Sequence, residues 1–315
     1  MSDADRKEKA CEALRAIRSI IPYEAAGISV WDPLTGVHQT LASDGYSERV
    51  SSYLNGDFVE EDEMYRSMRT KNPLPLRWQD FPDNYRDLHS ARSVFIPAGF
   101  DEGMSALLLS GGHRYTGVLH ISVGGREDIT DEAVGSVTWL QSLLSPIVDE
   151  LATWSRLVER LSPSSSAMVL DQSGIVQDLP DRRWATSSDN RDALRSSLML
   201  EWATLSSGTH RRMWRSPSGD WLQLRIYGVG TRVLVAVEEN SDGPPCSLTY
   251  QEMVIVARVA EGKSNKQLAS DLGVSVRTVA KHMEHILDKA GAESRTELCS
   301  RAHREGFISL PPASG

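Results

Sequence analysis

Between Ser264 and Val279 the chain reads Ser-Asn-Lys-Gln-Leu-Ala-Ser-Asp-Leu-Gly-Val-Ser-Val-Arg-Thr-Val, and the chemistry of that run leaves few folds open. Ser264 followed by Gln267 is a capping box. The serine hydroxyl accepts from the third helical N–H while the Gln side chain returns to the cap's own N–H. The short helix it opens stops at Gly273, which enters the left-handed region without a Cβ penalty. Ser275 caps the helix that follows. Two helices joined by so short a turn cross closely only if the contact side chain is small, and Ala269 is. Val279 then fills the space between them. Ala269, Gly273 and Val279 stand at the spacing of a helix-turn-helix. A generic helical bundle would explain the caps but not that conjunction.

The flanks extend the pattern to four helices. Thr249 with Glu252 is a second capping box, and Gly262 stops its helix. The helix from Ser275 carries Val279, Met283, Ile286 and Leu287 on one face and ends at Gly291. Ser294 caps a last helix bearing Leu298 and Ala302. Leu248-Thr249, Glu252, Gly262 to Lys266, Leu268-Ala269, Leu272 to Ser275, Arg277 to Val279, His282, Ile286-Leu287, Lys289, Gly291 and Ser294-Arg295 resemble the signature of LuxR/FixJ-type transcription factors. The resemblance covers about the last fifth of the chain. It implies a four-helix DNA-binding domain whose third helix enters the major groove and whose fourth supports dimerisation, here through Leu298 and Ala302. Gln251, Met253 and Ala290 depart from the family's usual residues, the last with consequences for packing the fourth helix.

On that third helix the positions matching the base-facing surface are Ala280, Lys281 and Glu284. Lysine donates to guanine, and a glutamate accepts from cytosine N4. Glu284 also reads as a solvent-facing charge paired near Lys289. Lys266, Arg277 and Thr278 stand at helix starts, where donors aim at phosphates, and Lys263 is a weaker candidate.

The net charge of −9 looks wrong for a partner of nucleic acid until it is divided. From Ser247 to Phe307 there are nine Lys+Arg and eight Asp+Glu, 9 − 8 = +1, which leaves −10 for the remainder. A module this weakly basic needs two copies for affinity. Cys11, Cys246 and Cys299 stand too far apart for a disulfide framework or a cysteine-rich zinc site, which fits a reducing cytoplasm. No apolar run reaches membrane-spanning length, and no apolar signal region follows Met1.

Upstream, two further blocks are expected. The first, 6–161, opens with a helix (Cys11, Leu14, Ile17, Ile20, Ile21). A hairpin follows over Ala26 to Trp31 and Val37 to Leu41, then helices over Tyr46 to Leu54 and Glu60 to Arg69. The proline-broken stretch Asn72 to Pro82 is read as loop. Strands over Met104 to Leu109 and Tyr115 to Val123 meet across Gly111-Gly112. One long helix over about 130–161 closes the block. Its residues Leu140, Leu144, Ile147, Leu151, Trp154, Val158 and Leu161 alternate steps of four and three, which reads either as a heptad seam suited to a homodimer or as one amphipathic helix packed on its own domain, with Pro146 implying a kink or a break. The opening helix, the strand-turn-strand, Ser43 to Tyr46, the paired strands and the closing helix resemble a GAF domain, which implies an antiparallel sheet with helices on one face and a pocket on the other. The block 164–240 looks PAS-like: a strand over Ala167 to Asp171, a helix over Arg191 to Ser206, and a meander over Arg211 to Trp214, Trp221 to Tyr227 and Arg232 to Glu238. Residues 241–247 read as linker and 248–306 as the helix-turn-helix domain. The fold class is α+β, with an all-α C-terminal module, and the block order is similar to actinobacterial LuxR-type regulators with GAF sensors.

Other signals are weaker. Gly262-Lys263-Ser264 mimics the end of a P-loop, but Ala257 stands where the first glycine belongs. His282, His285 and His303 form no metal set, His113 and His120 beside the strands of the first block read as core or surface residues with a haem or metal role as the alternative, and no nucleophile–base arrangement suggests an enzyme. Trp78, Tyr85 and Phe95 line either a pocket or a core. The expected partners are double-stranded promoter DNA, a second copy of the chain, a small-molecule effector and RNA polymerase, with no cofactor, no metal and no membrane. A rival reading makes the N-terminal blocks a ligand-free interaction scaffold and DNA binding constitutive.

Overall fold

The computed structural model describes residues 3–70, 73–111 and 113–311. The chain divides into two compact units, Met1–Thr153 and Trp154–Gly315. The second unit therefore holds both the block 164–240 and the helix-turn-helix, whose separate cores meet at Met213, Trp221 and Leu310.

In the first unit, α1 (Asp3–Arg18) precedes the hairpin β1 (Ala25–Asp32) and β2 (Val37–Asp44). Three helices follow, α2 (Glu48–Asn55), α3 (Asp57–Glu61) and α4 (Glu63–Thr70). The helix expected over Glu60 to Arg69 is thus broken. Asp62 is the cause: its carboxylate accepts from the Met64 and Tyr65 N–H groups at 2.8 and 3.3 Å and so caps a new helix. The stretch read as loop contains β3 (Leu76–Arg77), paired to β4 (Glu102–Ser110), while Asn72 lies outside the described residues. β5 (Arg114–Val123) follows a turn in which Gly112 also lies outside them. The sheet is antiparallel, in the order β2-β1-β5-β4-β3.

One face of this sheet packs on α1 and α5 (Asp131–Val148) through Leu14, Ile17, Ile28, Leu119, Ile121 and Val137. The other is roofed by α2 to α4, burying Phe58, Met64, Met68, Leu107 and Val118. Trp78, Tyr85 and Phe95 belong to that second core.

The closing helix is broken in two, one of the outcomes that Pro146 implies. α5 ends at Val148 and α6 runs Glu150–Leu161. Pro146 cannot donate to the preceding turn, and Asp149 takes up the break. Its N–H reaches the Ser145 carbonyl at 3.0 Å and its carboxylate caps α6 at the Ala152 N–H, also 3.0 Å.

The heptad seam does not survive this folding. Leu144, Leu151, Trp154 and Val158 are buried within the chain, Leu144 in the core shared with α1 and the sheet, and Ile147 is half-buried beside it. Any amphipathic helix covered by its own chain shows the same spacing, so these residues are not a free coiled-coil stripe. The apolar side chains left exposed on α5 are Trp139 (66%) and Leu143 (52%).

In the second unit, β6 (Ser166–Asp171), β7 (Val176–Asp178), β8 (Thr209–Arg215), β9 (Trp221–Val229) and β10 (Arg232–Glu239) form an antiparallel sheet ordered β7-β6-β10-β9-β8. Counted within each block, both sheets have the order 2-1-5-4-3. β7 was not anticipated, being only three residues long. The helical region read over Arg191 to Ser206 divides into α7 (Ser188–Leu200) and α8 (Trp202–Leu205), which cover one face of the sheet through Leu194, Leu198 and Leu205 against Leu222, Leu224 and Val235. Four helices complete the chain: α9 (Tyr250–Ala260), α10 (Asn265–Leu272), α11 (Val276–Ala290) and α12 (Arg295–Glu305).

Candidate nucleic-acid interface

Each helix of the C-terminal group begins on a side-chain cap. Thr249–Glu252 and Ser264–Gln267 form both halves of their capping boxes, and Ser275 and Ser294 accept from the Thr278 and Glu297 N–H groups. Gly273 and Gly291 end α10 and α11 at φ of 64° and 57°, where a side chain would be strained. Ala269 and Val279 are buried in one cluster with Leu268, Met283, Ile286 and Leu298. The result is a short helix crossing a longer one, with one face of the longer one's first turns left outward.

Arg277, Thr278, Lys281 and Glu284 are exposed on α11, and Ala280 is half-buried. Lys266 is exposed at the start of α10. Lys263 is less available, because its ammonium lies 3.7 Å from the Asp271 carboxylate. The Thr278 hydroxyl lies 2.8 Å from Ser275 Oγ, so it belongs to the cap as well as to the surface. Glu284 does not pair with Lys289, whose ammonium is 2.7 Å from Glu252 and 3.3 Å from the Ser247 carbonyl. Leu298 and Ala302 are fully buried against α9 and α11. They hold the domain together and offer no surface to a second copy.

Several fastening residues went unread. Lys289 ties α11 to the start of α9, and the partly buried Glu252 carboxylate has its pKa lowered by the hydrogen bond from Lys289 and by the Thr249 N–H, against the opposing effect of burial. Arg295 donates to the Lys263 carbonyl and, at 3.2 Å, to Asn265 Oδ1, fixing the entry to α10. The domain also continues past residue 306. Met213 N–H donates to the Ile308 carbonyl and Leu310 N–H to the Met213 carbonyl, both at 2.9 Å, so the tail adds to the β8 edge. The apolar run Phe307-Ile308-Ser309-Leu310 was the available signal.

Residues 246–302 match the family described as "Bacterial regulatory proteins, luxR family". The C-terminal segment is a LuxR-family helix-turn-helix domain. The transcriptional regulatory protein LiaR of Bacillus subtilis is 36% identical over 82 residues, 25% of this chain and 39% of that protein. The monoamine regulon transcriptional regulator of Klebsiella aerogenes is 43% identical over 63 residues, 20% and 28% of the two chains. The chain thus spans well under half the length of these relatives, and the likeness lies in the LuxR-type domain. Among solved structures, the GAF domain of a Coxiella burnetii phosphoenolpyruvate-protein phosphotransferase aligns with 48% of this chain and 86% of its own at a TM-score of 0.38 and 15% identity. Escherichia coli SdiA aligns with 96% of this chain and 90% of its own at 0.34 and 14%.

The roofed face of the first sheet holds a second polar cluster. His38 Nε2 lies 2.7 Å from the Tyr115 hydroxyl, and His120 Nδ1 lies 2.9 Å from Ser105 Oγ. The opposite ring nitrogens, His38 Nδ1 and His120 Nε2, are buried without a hydrogen-bond partner among the described residues. Burial lowers the pKa of His38 to about 4 and that of His120 to about 3, so both rings are neutral at pH 7. Phe58 stands edge-on to His120 with centroids 5.0 Å apart, and Tyr65 edge-on to His38 at 6.2 Å. His38 was not singled out from sequence, and His113 lies exposed outside this cluster. Among the described residues no group of three or more His, Cys, Asp or Glu is placed to hold a metal ion, and no helix is long and apolar enough to cross a membrane.

Proposed function

We propose that this protein is a sequence-specific promoter-binding regulator that acts as a homodimer, with its first unit sensing a small molecule or a partner protein. The observation that carries the DNA reading is the outward face of α11. Arg277 and Lys281 stand one turn apart, Lys266 is exposed on the neighbouring helix, and the helix is held from behind by Val279, Met283 and Ile286. Lys266, Arg277 and Thr278, with Lys263 in a lesser role, contact phosphates. Lys281 and Glu284 read base edges, with Ala280 allowing close approach. Recruitment of RNA polymerase belongs to the same reading.

Control by a ligand is supported by the two orphaned imidazole nitrogens under α2 to α4. An unpaired buried polar atom costs about 1–3 kcal/mol, which a bound hydrogen-bonding molecule would recover. Such a molecule changes DNA binding only if it prefers one state of the chain. The dimer contact is assigned to Trp139 and Leu143.

Selection from random duplexes, followed by titration over a range of salt, tests the DNA reading. One preferred site should emerge. Lys266→Ala and Arg277→Ala should each lower the salt slope by about one, and Lys281→Ala should relax a single base position. Failure to enrich any sequence would overturn it.

A further inference from the structure

β8 and β9 bring two guanidiniums onto one face of the second sheet. Arg211 and Arg225 are direct register partners, and side chains so paired start about 5 Å apart at Cβ. Like charges in that position repel, so an unrelieved Arg–Arg pair needs a reason. Arg225 is partly compensated: Glu238 lies 4.0 Å from its Nε, and one of its Nη groups donates to the Leu161 carbonyl at 3.1 Å. That Nε is nonetheless buried and has no hydrogen-bond partner among the described residues. Arg211 is exposed and its guanidinium donates to the Arg304 carbonyl at a long 3.4 Å.

The pair lies in a groove of about 580 Å³. Leu157 and Leu161 of α6 form an apolar wall, 39% and 41% exposed, and Tyr227 and Val229 continue it beyond the arginines. Among the described residues no carboxylate lines the groove. Its volume falls in the range of small-molecule sites, about 300–1,000 Å³, and it combines a mostly apolar lining with a few placed polar groups.

We propose that this groove is a binding site for an apolar monocarboxylate: one anionic head between Arg211 and Arg225, and one hydrophobic body along Leu157, Leu161 and Tyr227. A carboxylate takes guanidinium donors in its own plane and offsets the repulsion between the two arginines. A single charge suffices because Glu238 already answers part of Arg225. Arg211 also makes the site consequential for the LuxR-type domain, since the donor it would give to the ligand is the one it now gives to the end of α12. Occupancy and the anchoring of that helix compete for one guanidinium.

Calorimetry on the full chain without DNA tests the site independently of the promoter-binding reading, with 4-phenylbutyrate as probe. Saturable binding at one site per chain is expected. Butyrate, which lacks the body, and 4-phenylbutan-1-ol, which lacks the charge, should each bind at least about ten-fold more weakly. Arg225→Gln and Leu161→Asp should each weaken 4-phenylbutyrate by about the same factor. Leu161 is exposed enough that its variant keeps the fold even if the arginine variant does not. On the selected duplex, saturating 4-phenylbutyrate should weaken DNA binding by about five-fold in the wild-type chain and leave Arg211→Gln unmoved. No saturable binding, equal binding of the alcohol, or affinity indifferent to both groove variants would overturn the site. Unchanged DNA affinity in the loaded wild-type protein would overturn the role of Arg211.

Discussion

The two sheets of this protein share one strand order and differ in what lies on their second faces. β5 of the first sheet is buried at nearly every position, whereas β9 of the second alternates buried and half-exposed along most of its length. Both strands alternate polar and apolar residues in sequence: Val118, His120 and Ser122 share a face of β5, as Gln223, Arg225 and Tyr227 share a face of β9. Alternation marks a half-solvated antiparallel strand, and that holds for β9. For β5 it fails because α2 to α4 roof the polar face, so His120 and Ser122 sit 3% exposed among aromatic rings. Topology therefore does not decide whether a sheet face is wall or surface. The elements inserted between strands do.

The contrast is sharpest under substitution. Val118→Asp puts a charge at a fully buried position under the helical roof, and should destabilise the first unit by about 3–5 kcal/mol in chemical denaturation. Gln223→Asp, half-exposed on the second sheet, should change stability by no more than about 0.5 kcal/mol. Comparable losses would show that the second sheet is roofed as well.

Acid should find the same difference. The unfolded chain's histidines take protons near pH 6.5, while His38 and His120 in the folded chain wait until about 4 and about 3. The unfolded state therefore binds more protons in that window. Stability is fully present above about pH 6.5 and declines as pH falls, by up to about 1.4 kcal/mol per unit for each ring. Asp62 and Glu102, whose carboxyls burial pushes up, oppose the decline at its acid end. Thermal melts of His38→Gln and His120→Gln should show a flatter dependence than wild type between pH 6.5 and 4.5. An equal slope would mean the rings are not held neutral.

Smaller effects separate local from tertiary fastening. Glu252→Ala removes one half of a capping box and the partner of Lys289, at a cost of about 1–2 kcal/mol to the LuxR-type domain. Trp139→Asp should leave the melting temperature within a few degrees of wild type, yet convert dimer to monomer in sedimentation. Leu144→Asp, at a core position, should instead unfold the first unit. A Trp139→Asp chain that stayed dimeric would place the two-fold contact elsewhere.

The four C-terminal helices were legible from one sequence because their boundaries are written by neighbours three residues apart. Ser264 and Gln267, Thr249 and Glu252, and the left-handed Gly273 and Gly291 act within a single turn, and nothing distant overrides them. The strands of the first block were legible for the same reason, through turns such as Asp32 to Gly36. Residues that act across the chain were not. The tertiary contacts of Arg295 and Lys289 exist only once α10 and α9 are brought against them, and the break at Asp149 depends on a carboxylate that could equally have faced water.

The seam from Leu140 to Leu161 shows the boundary most plainly. Its periodicity established that one stripe of the closing helices would be covered, which holds from Leu144 to Val158 and fails at the exposed Leu161. Whether a second copy or the chain itself would cover it was decided by folding, because hydrophobic burial is non-directional and rewards any apolar partner equally. The same holds for His38, Arg211 and Arg225. Their chemistry is in the sequence, but only strand register and the helices laid over it determine which of them meet each other and which are left facing a groove.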